Sequence, residues 1–311
     1  MLTNTAPAAE SSSRPVQPRQ VLSAEALATL NQRSNWAGTS RFLRHLGVIS
    51  ISGYLWATAP LGIALPALVL YGASLALMFC AVHESCHRTA FANLQLNDGA
   101  AWLAGLLSFY NSTFYRRYHK WHHRYTQIPG KDPELDDPKP VSLSNYLWQL
   151  SGIPWWIGKV RGYSRIALGY LDDCYYIPES ARAEVVRSVR LQLLTYAGIV
   201  VTSALLGHPE FLLLYWVLPL AVGQPLLRFV LLAEHTGCPN DNNPLANTRT
   251  TLTLWPLRWL MWNMPFHAEH HLYPSIPFQA LPMAHRQLKP YFERVENGYV
   301  RVNRDFIIDV L

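Results

Sequence analysis

The sequence predicts an all-α integral membrane protein. Four transmembrane helices form two hairpins, and a cytoplasmic helical cap holds a histidine-rich site for two metal ions. Three observations predict this. No Lys, Arg, Asp or Glu occurs from His45 to Val82, and no Lys or Arg between Arg190 and Arg228. Eight of the twelve histidines fall in three short clusters. The turns within both apolar stretches carry no basic residue, although the chain has 26 of them.

Composition narrows the class. The chain has 311 residues, 50% hydrophobic and only 15% charged, against about 25% charged in soluble domains. Mean hydropathy is only +0.04, so spans alone do not account for the chain. Eleven Trp and sixteen Tyr suit a protein with much surface at a lipid–water boundary. The four cysteines show no paired spacing, which excludes a thiolate zinc site and a disulfide framework. Net charge is +6. The basic residues flank apolar segments and form no continuous stripe, so nucleic acid is not an expected partner.

Residues 1–35, rich in Ala, Ser, Pro and Gln, read as a disordered tail. Residues 36–311 read as one domain, because the histidine clusters lie far apart and must meet in space. The first charge-free stretch is too long for one span of about 20 residues. Pro60, Gly62 and Pro66 break it into spans near 43–63 and 64–82. The second pair lies near 191–207 and 210–233, turning at Gly207, His208 and Pro209. Three shorter stretches, Ala100–Tyr110, Asn145–Trp156 and Leu252–Trp262, read as interfacial; the last two carry six tryptophans. The positive-inside rule places both termini and every histidine cluster on the cytoplasmic side, of a bacterial inner membrane on this reading.

The clusters are His83-Glu-Ser-Cys-His87, His119-Lys-Trp-His122-His123 and His267-Ala-Glu-His270-His271. Spacings of i, i+3 and i+4 stack side chains on one helix face. Neutral imidazole is the commonest protein metal ligand, whereas a core histidine is usually solitary. His235, at the end of the fourth span beside Glu234, is a ninth candidate. Nine nitrogens exceed the needs of one ion and suit two. Carboxylates and amides that orient ligating histidines are expected nearby: Glu84, Glu234 and Glu269 within or beside the clusters, and Asp132 after the second. Glu134, Asp136 and Asp137 read as a solvated loop. Asn263 either holds a metal-bound water or caps a turn. His45, His208 and His285 read as structural.

These three boxes, in this order around two hairpins, resemble the membrane fatty-acid desaturase superfamily. The resemblance runs from about Arg41 to about Leu288. It includes Asn263-Met-Pro-Phe-His-Ala-Glu-His-His-Leu-Tyr-Pro, similar to that family's third box and its sequel. The resemblance implies an O2-dependent di-iron enzyme that desaturates a fatty acyl or lipid chain. Two Fe2+ ions would be held by His83, His87, His119, His122, His123, His235, His267, His270 and His271. A separate electron donor is implied, a ferredoxin or a cytochrome b5-like protein with its reductase. Acyl-CoA members carry an asparagine four residues before the extra histidine, where this chain has Leu231. Hydroxylase, ketolase and oxidative decarboxylase outcomes share the same boxes. A zinc membrane hydrolase would need only about three of these ligands.

Overall fold

The computed structural model describes residues 21–137 and 139–310. Its framework is a helical hairpin. Ser34 caps α2 (Asn35–Thr58) by accepting the Ala37 N–H. The chain turns at Ala59 and Pro60, and α3 runs from Leu61 to Cys86. The break therefore falls at one proline alone. Pro66, expected to share in it, sits inside α3. One proline near a helix start removes a single hydrogen bond, which burial of the rest of the helix offsets.

After α3, α4 (Leu94–Ser108) packs back along it, and α5 (Ser112–Tyr125) follows. Two more helices come next, the short α6 (Leu143–Leu150) and α7 (Ile153–Leu168). The second hairpin is α8 (Glu179–Leu205), a turn with Gly207 at φ +84°, a π-helical turn at Leu213–Val217, and α9 (Leu218–His235). Among the described residues three helical stretches are long and apolar enough to cross a membrane: Leu61–Cys86, Glu179–Leu205 and Leu213–His235. The expected first span, α2, is not among them; Arg41, Arg44 and His45 dilute its apolar character. Beyond them lie α10 (Trp255–Leu260), α11 (His267–Leu272), α12 (Leu281–Leu288) and α13 (Tyr299–Val310).

The core is built around α3, which touches α2, α4 and α9. Leu75, Leu77, Met78, Leu220 and Leu227 are fully buried there. Outward faces are apolar as well: Ile51 and Tyr54 on α2, Leu65 and Val69 on α3, Leu191, Leu194 and Val201 on α8 are all exposed. A helix apolar on both its inner and outer faces suits a lipid surround.

Four further expectations change. The tail expected through residue 35 already contains α1 (Ala24–Leu30), capped by Ser23. Leu22 and Leu30 are buried against α12, and Tyr273 accepts the Leu22 N–H at 3.1 Å. Tertiary packing orders a segment whose composition alone reads as coil. Residues 1–20 lie outside the described residues. The fold is also not purely helical: β1 (Thr250–Leu252) pairs in parallel with β2 (Val295–Asn297), Thr250 opposite Val295. The stretch Ala100–Tyr110 lies largely in α4, whose Ala100, Ala101 and Ala104 are core. Only its other face, with Leu94, Leu96 and Trp102, points outward. Finally, Trp148 and Trp255 are exposed as an interfacial role requires, but Trp262 is buried. Its Nε1–H donates to His45 Nδ1 at 3.2 Å, while His45 Nε2–H donates to Ser74 O at 3.0 Å.

Candidate metal centre

Each histidine cluster arrives on a helix. Helix α3 carries His83, with His87 as its C-cap. Helix α5 carries His119, His122 and His123, its start fixed by the Asn111 side chain accepting the Phe114 N–H. Helix α9 ends on His235, and the short α11 presents His267, His270 and His271. All nine rings meet in one region. Donor nitrogens of His83, His87, His119, His123 and His270 lie within 4.8 Å of one another, and so do those of His122, His235 and His271. His267 joins the second group: its Nε2 is 3.2 Å from His235 Nε2 and 3.1 Å from His271 Nε2. The groups adjoin, with the rings of His123 and His271 stacked at 4.2 Å.

The hydrogen bonds fix which nitrogen faces inward. His122 Nδ1 lies 2.9 Å from Asp132 Oδ1, and a carboxylate only accepts, so Nδ1 carries the proton. His235 Nδ1 donates to Asn247 O at 3.2 Å by the same reasoning. Thr126 gives its hydroxyl proton to His122 O and therefore accepts from His271 Nδ1 at 3.2 Å. Three Nε2 lone pairs are thus left pointing inward. In the first group, His123 Nε2 lies 3.0 Å from His119 Nε2 and 3.1 Å from His270 Nε2. Several ring nitrogens here are buried without a hydrogen-bond partner, including Nε2 of His83 and His87.

Electrostatics keep most of these rings neutral. Burial pushes the His87 pKa down to about 3, helped by His122 and Arg116. Burial and the neighbouring imidazoles likewise hold His119, His123, His267, His270 and His271 well below the usual histidine value. His122 is the exception. Burial would lower it, but the Glu134 and Asp132 carboxylates outweigh that and hold it raised. Asp132 is held low in turn, because His122 and the N–H groups of Gln127 and Glu134 outweigh its burial.

Metal–imidazole bonds are about 2.0–2.1 Å, so two nitrogens on one ion stand at most about 4.2 Å apart. Neutral imidazoles converging within nearly that distance, with orphaned inward nitrogens, fit a pair of imidazole-preferring cations.

The surrounding acidic and amide residues divide. Asp132, wholly buried, grips His122. Glu234 Oε2 lies 3.5 Å from His267 Nε2. Glu84 instead turns away from the imidazoles and accepts the Phe278 N–H at 3.0 Å, tying the segment after α11 to α3. Glu269 binds His285 Nδ1 and the Thr250 hydroxyl, bracing α11 against α12 and β1. Adjacent helix positions point different ways, and sequence adjacency alone does not reveal that. Asn263 has left-handed backbone (φ +59°) and gives its side-chain N–H to Phe278 O at 2.8 Å, which is the turn-holding reading. His208 sits exposed beside Glu210 at the α8–α9 turn.

Sequence reasoning missed three participants. Thr126 and Asn247 carried no signal, because a backbone carbonyl or hydroxyl partner can be any neighbour. Glu134 was read as solvated, yet its Oε2 lies 3.7 Å from His122 Nε2. The Asp-Pro-Glu spacing across one tight turn was the available clue.

A cavity of about 700 Å³ reaches the imidazoles. Phe79, Tyr115, Leu231, Leu232 and Trp155 give it apolar walls; His83, His119, His235, His267, Glu134 and Glu234 line its imidazole end. That volume lies within the range of small-molecule sites.

Comparison with known proteins agrees with this architecture. The chain matches the fatty acid desaturase family over residues 56–303, which includes every clustered histidine. It is 27% identical over 237 residues to the sphingolipid delta(4)-desaturase DES1 of Xenopus tropicalis, covering 75% of this chain and 68% of that protein. It is 26% identical to the sphingolipid delta(4)-desaturase/C4-monooxygenase DES2 of Rattus norvegicus, covering 74% and 67%. The dihydrorhizobitoxine desaturase of Bradyrhizobium elkanii is 27% identical over 257 residues, covering 76% and 69%. With four-fifths of its length matched and three histidine boxes gathered in one region, the chain belongs to the fatty acid desaturase family of oxidoreductases.

Proposed function

We propose that the chain is an O2-dependent di-iron desaturase that places a double bond in a fatty acyl or lipid chain. The supporting observation is the sorting of nine imidazoles into five and four. His83, His87, His119, His123 and His270 would hold one iron; His122, His235, His267 and His271 would hold the other. A zinc hydrolase would leave most of these rings unexplained. Bound iron, with O2 and external electrons, supplies an oxidant strong enough to take hydrogen from an unactivated methylene.

The chain's own residues do the rest. Asp132 and Asn247 keep His122 and His235 in the tautomer that offers Nε2. The apolar walls of the cavity hold a methylene chain and keep water from the imidazoles. Helices α3 and α9 lead from the apolar framework to the site, so a chain reaches it along an apolar path. In the membrane, α2 acts as a fourth span beside α3. The segments α4–α7 and α10–α12 form a cytoplasmic cap, with both termini on that side, at a bacterial inner membrane. Electrons come from a separate ferredoxin or cytochrome b5-like protein.

A second outcome has specific support, since the rat relative is named for both desaturation and C4-monooxygenation. The test is to supply purified protein with stearate, O2 and a reduced ferredoxin system and to weigh the products. Loss of two hydrogens at unchanged chain length supports desaturation. Gain of one oxygen replaces it with hydroxylation, and a terminal alkene one carbon shorter with decarboxylation. Turnover without O2 removes the oxidative reading altogether.

A further inference from the structure

Away from the imidazoles, the same cavity holds a group of donors with hydrogens to spare. Lys159 Nζ sits 3.8 Å above the Tyr110 ring, with Tyr163 and Trp155 at 5.2 and 5.5 Å. Among the described residues no carboxylate lies within ion-pair distance of Lys159 or Arg228. The Tyr110 hydroxyl accepts from Arg228 Nη2 at 2.8 Å and from Trp155 Nε1 at 3.0 Å. With both lone pairs engaged, its own proton is left to donate. Arg228 Nε is buried without a partner. Burial, with Arg228 close by, pushes the Lys159 ammonium down to about 7, and an anion bound beside it would favour the charged form. Lys159, Arg228 and Tyr110 all line the cavity that runs to His83 and His267.

Spare hydrogens on two basic side chains and a hydroxyl describe the complement of an anion; the Glu134, Asp137 and Glu234 carboxylates interact with Arg228 only from beyond ion-pair distance. We propose that Lys159, Arg228 and the Tyr110 hydroxyl form the subsite for an anionic headgroup, carboxylate or phosphate, at one end of the acyl substrate. This rests on the reading that the cavity holds an acyl chain. Tyr110 is in ring contact with Phe79 at 4.6 Å, and Phe79 with His83 at 6.3 Å. A headgroup fixed at Lys159 therefore sets which methylene reaches the imidazoles. The subsite is a ruler as well as an anchor.

Binding tests this directly. Purified full-length protein in neutral detergent is titrated calorimetrically with stearate, octadecyl phosphate and octadecanol. At least one anion should bind about tenfold or more tighter than the alcohol, the scale of a charge-assisted hydrogen bond. The stronger of the two anions identifies the headgroup. Lys159→Met should abolish the preference, and Lys159→Arg, which keeps the charge, should retain it. Arg228→Gln should narrow it. Equal affinity for all three ligands in the wild type overturns the proposal. So does an equal loss for all three in Lys159→Met. A wild type without anion preference but with acyl turnover intact sinks the subsite alone. Anion preference in a protein that forms no oxidised product sinks the desaturase reading alone.

Discussion

The Asp132 carboxylate holds His122 in a single orientation: Oδ1 lies 2.9 Å from Nδ1, and the same carboxylate takes the N–H groups of Gln127 and Glu134 at 2.7 and 3.0 Å. Both side chains are buried. The carboxylate raises the basicity of Nε2 and fixes its direction. Replacing Asp132 by Asn keeps the shape and removes the charge. Partners of this kind change metal affinity by about 10–100-fold. Iron titration of Asp132→Asn should show a loss of that order with the helical circular-dichroism signal unchanged; full affinity would rule out the proposed role.

The imidazole groups predict a graded loss of metal. His270→Ala removes a member of the five-membered group and His122→Ala a member of the smaller one. Each should lower iron content from about two per chain and abolish product formation. His208→Ala, at the remote turn, should do neither. Elemental analysis of protein produced with ample iron decides. One zinc and no iron per chain would overturn the di-iron assignment.

A pH dependence follows from the depressed histidines. His87 is held near 3 when folded, and His119, His123, His267, His270 and His271 are also lowered. Unfolded, each would titrate at its ordinary value near 6.5. Between about 3 and 6.5 the unfolded chain therefore binds more protons, and stability rises with pH across that window. Metal-free protein should melt at progressively lower temperature as pH falls below about 6.5 and show little histidine-dependent change above it. Bound metal should steepen the acid loss, since protons compete for the same nitrogens. A flat melting temperature from pH 7 to 4 contradicts this.

Much of the site was legible because its chemistry is periodic. His119, His122 and His123 share one helix face by spacing alone, and His83 follows an apolar run that had to be a helix. What stayed hidden depends on direction and on distant partners. Glu84 and His83 are neighbours in sequence, yet one faces Phe278 and the other the imidazoles. Asn247 reaches His235 from a loop with no pattern. Lys159 gave no signal, because its lack of a counterion is visible only once α7, α9 and Tyr110 are brought together. In the fold, apolar runs located α3 and α9, but α1 and the β1–β2 pair are products of tertiary packing on short segments.

The crossing of α3 and α9 yields the last prediction. A Cβ on Gly72 would meet Pro219 O at 2.1 Å, and one on Gly223 would meet Gly72 O at 2.0 Å. Both obstacles are backbone, so neither can rotate away. Glycine lets two helices approach at backbone distance, a common device in membrane bundles. Helix α3 delivers His83 and α9 delivers His235, so the crossing sets the distance between the two imidazole groups. Gly72→Ala or Gly223→Ala must push the helices apart, at a cost of about 1–3 kcal/mol by overpacking. Each should lower both the melting temperature and the iron content. Gly62→Ala, on the same helix α3, places its methyl group in open space, with nothing within 4 Å, and should leave both unchanged. Wild-type melting and full iron in Gly72→Ala would show that the crossing is not what registers the site.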